Sequence, residues 1–120
     1  MNVDPWTVAA GGAMAFLVVR RLLGGAGAPP ELVLERIRAG AKIIDVRTPG
    51  EFSSGAYPGA RNIPLPVLGR RLDEIPRDTP VVLYCRSGMR SASAARLLKR
   101  AGYVDVLNAG GLSRMPRSQR

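Results

Sequence analysis

The sequence predicts an α/β domain, a small parallel sheet with helices on both faces. Three observations lead there. Residues 42–46 (KIIDV) and 81–84 (VVLY) are short runs rich in β-branched and apolar side chains, without the alternation of a half-exposed sheet, and read as strands buried on both faces. Segments with apolar residues at helical spacing separate such runs, as crossovers between parallel strands require. At 120 residues the chain suits one domain with one modest core.

Taken in order, residues 1–23 form a hydrophobic first segment. Residues 5–19 carry no charge, and Arg20-Arg21 and Leu22-Leu23 follow. As a helix, residues 5–23 would be about 28 Å long, close to the ~30 Å hydrocarbon core of a bilayer once both arginines snorkel. The positive charges follow the apolar run and Asp4 precedes it, unlike a cleavable signal peptide. The expectation is a single-pass membrane anchor with the rest of the chain facing the cytoplasm. The alternative is a buried helix of a soluble cytoplasmic protein. Residues 24–30 (GGAGAPP) read as a flexible linker stopped by prolines.

Residues 31–38 place Val33, Leu34 and Ile37 at helical spacing, with Pro30 in the first turn and Gly40 as C-terminal cap. After the strand at 42–46, residues 47–64 are dense in Gly and Pro and read as a long loop, with at most a helical turn around Glu51-Phe52. Residues 67–75 suit a short helix ended by Pro76. The strand at 81–84 leads through a loop at 85–90 to a helix at 91–101, closed by Gly102. A strand at 104–107 and a turn at Gly110-Gly111 follow. The domain is expected over 31–116, with 117–120 as a basic tail.

Composition excludes several chemistries. There is no histidine and one cysteine, so a Cys/His zinc site, a Ser-His or Cys-His pair, an intramolecular disulfide and a CxxC relay are all ruled out. No metal or organic cofactor is expected. The formal charge of +9, from 18 basic and 9 acidic residues, favours anionic partners. Nucleic acid is not expected among them, because the basic residues are scattered and no aromatic is interleaved with a basic run.

The one cysteine stands where an open parallel sheet puts its ligands, directly beyond the carboxyl end of a strand. Residues 85–90 (CRSGMR) link that strand to a helix, and so short a loop can turn several backbone N–H groups toward one sulfur or a bound anion. The helix N-terminus, Arg86 and Arg90 all favour thiolate over thiol, so Cys85 is expected to titrate below the free value of ~8.5. Most lone cysteines are small buried hydrophobes, but this one is flanked by Arg, Ser and Gly. Two chemistries use a cysteine in such a loop. Phosphate-ester hydrolysis uses a seven-residue C-x5-R loop around a tetrahedral anion, and sulfur transfer uses a shorter loop around one persulfide sulfur. Here Cys85 and Arg90 make the short C-x4-R form.

From about residue 30 to 116 the chain resembles a single-domain rhodanese, a sulfurtransferase module. The likeness rests on Ile44-Asp45-Val46-Arg47, Glu51-Phe52, Gly55, Pro58-Gly59-Ala60-Arg61-Asn62-Ile63-Pro64, Tyr84-Cys85-Arg86-Ser87-Gly88-Met89-Arg90-Ser91 and Asn108-Ala109-Gly110-Gly111-Leu112, in that order and spacing. The apolar N-terminal segment resembles the helix that precedes some bacterial members. The resemblance implies a rhodanese-like fold and Cys85 as nucleophile and persulfide carrier. The amides of Arg86, Ser87, Gly88, Met89 and Arg90 would cradle the persulfide, and Arg90 would fix the loop's end or attract an anion. It also implies Arg47 at the pocket, Asp45 as a brace and Glu51 as a structural salt-bridge partner.

Three departures stand out. Gly55-Ala56-Tyr57 replaces a common Gly-His-Ile, whose histidine is usually structural. Ser87 stands where some thiosulfate-specific members carry Lys, which weakens the case for thiosulfate as natural donor. The family's first strand would fall on GGAGAPP, so four strands are expected, with at most a poor fifth at the edge. The expected partners are a small sulfur-donor anion and a thiol acceptor, small molecule or protein, with membrane association through residues 5–23. The acceptor must be external, since no second thiol is present. The alternatives are a non-catalytic interaction module at the membrane and a small phosphatase or arsenate reductase.

Overall fold

Residues 27–117 are described by a computed structural model. Their elements are α1 (Pro30–Arg38), β1 (Lys42–Asp45), α2 (Pro49–Ser54), β2 (Arg61–Asn62), α3 (Leu65–Leu68), a 3-10 turn (Leu72–Glu74), β3 (Val81–Cys85), α4 (Met89–Arg100), β4 (Val106–Gly111) and a second 3-10 turn (Leu112–Arg114). The expected anchor at 1–23 lies outside the described residues, as does the end of the basic tail. Among the described residues no helix is long and apolar enough to cross a membrane.

The VVLYC run of β3 is buried at all five positions, because it is an inner strand covered on both faces. Its side chains alternate between two apolar clusters. Val81, Leu83 and Cys85 pack with Ile44, Leu68, Ala94 and Leu98, the last two from α4. Val82 and Tyr84 pack on the other face with Val33 of α1, Ile43 and Met115. The strands are all parallel, in the order β2-β1-β3-β4. From β1 the chain goes to β2 on one side and then crosses to β3 on the other. Ligand sites of open sheets lie at such a reversal, beyond the carboxyl ends of the two strands. Asp45 and Tyr84 are register partners there, which sets Arg47 and Cys85 at the same edge.

The end of β1 is held by a buried ion pair. Asp45 is fully buried and accepts from the Arg47 amide at 2.8 Å, from Nε at 3.0 Å and from Nη2 at 2.7 Å. Arg47 Nη2 also donates to the Gly55 carbonyl at 2.7 Å, and its guanidinium lies 5.7 Å from the Tyr84 ring centroid. Asn62 closes the group, donating to the carbonyls of Asp45 and Arg47 at 3.0 and 2.9 Å. Removing one partner from a buried pair of this kind costs about 3–5 kcal/mol, because the other charge is left unpaired.

The structure departs from the sequence-based expectation in four places. The long loop at 47–64 contains a real helix, α2, started by a capping box in which Thr48 and Glu51 satisfy each other's backbone N–H. It also contains the two-residue strand β2. The helix expected at 67–75 is instead the short α3 and a 3-10 turn, parted by Gly69. Gly110-Gly111 is not a turn but the end of β4. The ladder slips there, pairing Leu83 with Asn108 and Tyr84 with Gly110, so that Ala109 bulges out. Finally, the described part of the expected linker packs on the sheet. The Ala28 amide donates to the Asn108 carbonyl at 2.7 Å, and Ala28 packs against the apolar cluster on the α1 face of the sheet.

Candidate functional site

Cys85 ends β3 and turns its sulfur toward the start of α4. Gly88, the N-cap of α4, has a left-handed φ of 100° and no side chain with which to cap the helix. That conformation suits glycine, and it turns the Gly88 N–H to within 3.0 Å of Cys85 Sγ. The sulfur therefore takes the place of a capping oxygen for N–H groups that a helix start leaves unpaired. Ser91, in the first turn of α4 and fully buried, adds its hydroxyl at 3.4 Å from Sγ. Burial pushes the Cys85 thiol up, but the Ser91 hydroxyl and the amides of Ser91, Gly88 and Ser87 outweigh it and hold the thiol below its ordinary value.

The loop is pinned from two sides. On one, Gly111 of β4 lies so close beneath it that a Cβ there would stand 2.5 Å from the Arg86 carbonyl oxygen. Only glycine permits that approach. On the other, Arg90 makes a two-pronged ion pair with Glu51 of α2, Nη1 to Oε1 at 2.7 Å and Nη2 to Oε2 at 3.0 Å. The same Glu51 oxygen accepts from the Thr48 amide at 3.2 Å. One carboxylate thus caps α2 and anchors the far end of the cysteine loop. The Arg90 guanidinium, with the Thr48 amide, holds the Glu51 carboxyl down at about 2.

Above the loop is a cleft of about 560 Å³ lined by Arg47, Glu51, Arg86, Leu112 and Ser113. Of the sequence-predicted residues, Arg47 reaches this wall, but its guanidinium is occupied by Asp45. Arg90 is occupied by Glu51. Arg86 is exposed and has no hydrogen bond or ion pair to any described residue. It is the cation at the cleft free to meet an anion. Ser87 and Met89 are exposed on the loop, Met89 with 68% of its surface open, while Gly88 is buried. Among the described residues, no three His, Cys, Asp or Glu side chains come together as a metal would require. Two residues of the site, Ser91 and Asn108, belong to the stretches that carry the resemblance but have no role assigned to them by the sequence. They are joined by a 2.7 Å hydrogen bond across 17 positions, and no local pattern announces a contact of that kind. The Thr48-x-x-Glu51 spacing, by contrast, is a readable helix-start signature.

Residues 29–114 match the rhodanese-like domain, and the chain belongs to that family. Among its relatives, the uncharacterized protein YqhL of Bacillus subtilis is 47% identical over 83 residues, 67% of this chain and 66% of that protein. A sulfurtransferase of Allochromatium vinosum is 45% identical over 69 residues, 58% of this chain and 64% of that protein. The chain therefore spans just under two thirds of the length of both relatives. Among solved structures, a rhodanese with anions from E. coli superposes with a TM-score of 0.59 at 34% identity, covering 67% of this chain and 99% of that one.

The ion pair yields a pH prediction. The folded carboxyl of Glu51 lies below the ordinary ~4.3, so its contribution to stability is complete above that value and is lost as pH falls toward about 2. Carboxyl-detected NMR titration should place Glu51 near 2 in the native chain and clearly higher in Arg90→Ala, short of the free ~4.3 because Thr48 still donates to it. A native midpoint already near 4 would show that Arg90 does not hold this carboxylate.

Proposed function

We propose that this protein is a sulfurtransferase that carries a sulfane sulfur on Cys85. The observation that carries the reading is the single buried sulfur at the start of α4, with loop amides turned toward it and a thiol held below its ordinary value. The cysteine loop has the short C-x4-R form, which favours sulfur transfer over phosphate-ester hydrolysis. The relative from Allochromatium vinosum bears the name sulfurtransferase, and a thiosulfate sulfurtransferase of Escherichia coli is 39% identical over 71 residues.

In the first step the Cys85 thiolate attacks the outer sulfur of a donor such as thiosulfate or a polysulfide. A sulfur–sulfur bond forms at Sγ, the donor's own sulfur–sulfur bond breaks, and sulfite or a shortened polysulfide leaves with the electron pair. The negative charge of the new persulfide then lies on its outer sulfur, where the loop amides and the dipole of α4 favour it. In the second step an acceptor thiolate, or cyanide, attacks that outer sulfur and Cys85 leaves as thiolate. No net oxidation occurs, and the cysteine is ready to react again. Arg86 attracts the anionic donor. Ser87 offers no second cation, so donors other than thiosulfate suit the site better. The acceptor is external, as the single cysteine demands.

Intact-protein mass spectrometry before and after donor tests the cycle. A gain of one sulfur that maps to Cys85, is removed by cyanide and is absent from Cys85→Ser supports it. No gain from thiosulfate, polysulfide or a small persulfide sinks it and favours a non-catalytic binding module.

The reading extends to location. The uncharged residues 5–19 followed by Arg20-Arg21 support a membrane tether with the domain on the cytoplasmic side. Full-length protein should co-sediment with lipid vesicles and stay with them in high salt, which strips off proteins bound by charge alone. Release into the supernatant would contradict the tether.

A further inference from the structure

The sulfur-transfer reading assigns work to the loop and to Cys85, and leaves unexplained a polar pair beside the sulfur, the buried Ser91 and the half-buried Asn108. The Ser91 hydroxyl has one hydrogen to donate and three acceptors within reach: Asn108 Oδ1 at 2.7 Å, Cys85 Sγ at 3.4 Å and the Gly110 carbonyl at 3.5 Å. Asn108 is held firmly. Its Oδ1 also accepts from the Gly110 amide at 2.9 Å, and its Nδ2 donates to the Gly88 carbonyl at 3.3 Å. Those two bonds fix which end of the amide faces Ser91, and they tie the bulge of β4 to the loop residue whose N–H meets the sulfur.

We propose that Ser91 and Asn108 are a positioning pair that follows the charge on Cys85 Sγ. When Cys85 is a thiol, its S–H is the donor and the Ser91 hydroxyl rests on Asn108 Oδ1. When Sγ becomes a thiolate, the hydroxyl turns and donates to it, because a bond to an ion is the stronger one. In the persulfide the charge sits on the outer sulfur, and the hydroxyl returns to Asn108. The pair thus stabilises Sγ in the two states where it bears charge, as attacking nucleophile and as leaving group. The persulfide between them draws no stabilisation from it. No proton is transferred, and only the direction of one O–H changes.

The inference rests on the sulfurtransferase reading for its use, but its test does not. The ionisable groups around the site are Arg86 and Arg90 on the loop and α4, Glu51 on α2, Asp45 and Arg47 at the end of β1, and Tyr84 on β3. Strand β4 contributes Asn108 and no ionisable group. All of them stay in place in Ser91→Ala and Asn108→Asp. The rate of Cys85 alkylation by iodoacetamide, followed against pH, reads the thiolate directly. Ser91→Ala should move the midpoint up by about one pH unit, so that alkylation below both midpoints is about ten-fold slower. Asn108→Asp should also move it up, since the new carboxylate holds the hydroxyl and adds like charge, and it carries the test alone if Ser91→Ala does not fold. Transfer from pre-loaded Cys85 persulfide to an acceptor thiol should slow in Ser91→Ala as well. An unchanged midpoint in folded Ser91→Ala, or a lowered one in Asn108→Asp, overturns the proposal. A raised midpoint in a protein whose native form takes up no sulfur supports the pair and rejects the sulfurtransferase reading instead.

Discussion

The hydrogen bond from the Gly88 amide to the Cys85 sulfur is the contact on which the rest of the site depends. It joins the end of the central strand to the first turn of α4, and it does so at a helix start that has no side-chain cap of its own. A helix begun in this way has N–H groups in need of an acceptor, and a sulfur placed among them is favoured when it is negative. The fold therefore links its own local stability to the charge state of one atom. That link needs no histidine, which suits a chain that has none.

The surrounding elements keep the loop from relaxing away from that atom. Gly111 lies under the Arg86 carbonyl at a distance no side chain would permit. Glu51 reaches from α2 to Arg90 while completing its own helix cap. The buried Asp45–Arg47 pair stiffens the end of β1, the neighbouring strand, and Arg47 stacks toward Tyr84, the residue before the cysteine. Of the three arginines close to the sulfur, two are neutralised within the protein and one, Arg86, faces the cleft.

Much of this was readable from residue pattern. The strands β1 and β3 announce themselves through unbroken β-branched runs, and α4 through its alanines, leucines and closing glycine. The cysteine loop is legible because its spacing is local. Elements whose existence depends on tertiary contact were harder to see. Strand β2 is two residues long and is defined only by its pairing with β1. Gly110-Gly111 carries a turn's composition, yet serves a bulge and a close approach to another segment. Asn108 reads as a residue just past a strand and Ser91 as an ordinary helix residue until the fold brings them together. Helix α2 is longer than the single turn expected around Glu51-Phe52, and Thr48 and Glu51 spell its start.

The central claim is that the loop is shaped to hold one charged sulfur on Cys85, and a crystal structure of the protein after exposure to polysulfide tests it most directly. The account predicts an outer sulfur bonded to Sγ and enclosed by the loop, about 3.0–3.5 Å from several backbone nitrogens of residues 86–90, with Arg90 still on Glu51. An outer sulfur pointing into solvent without amide contacts, or a loop that opens and releases Arg90 to admit it, would contradict the account.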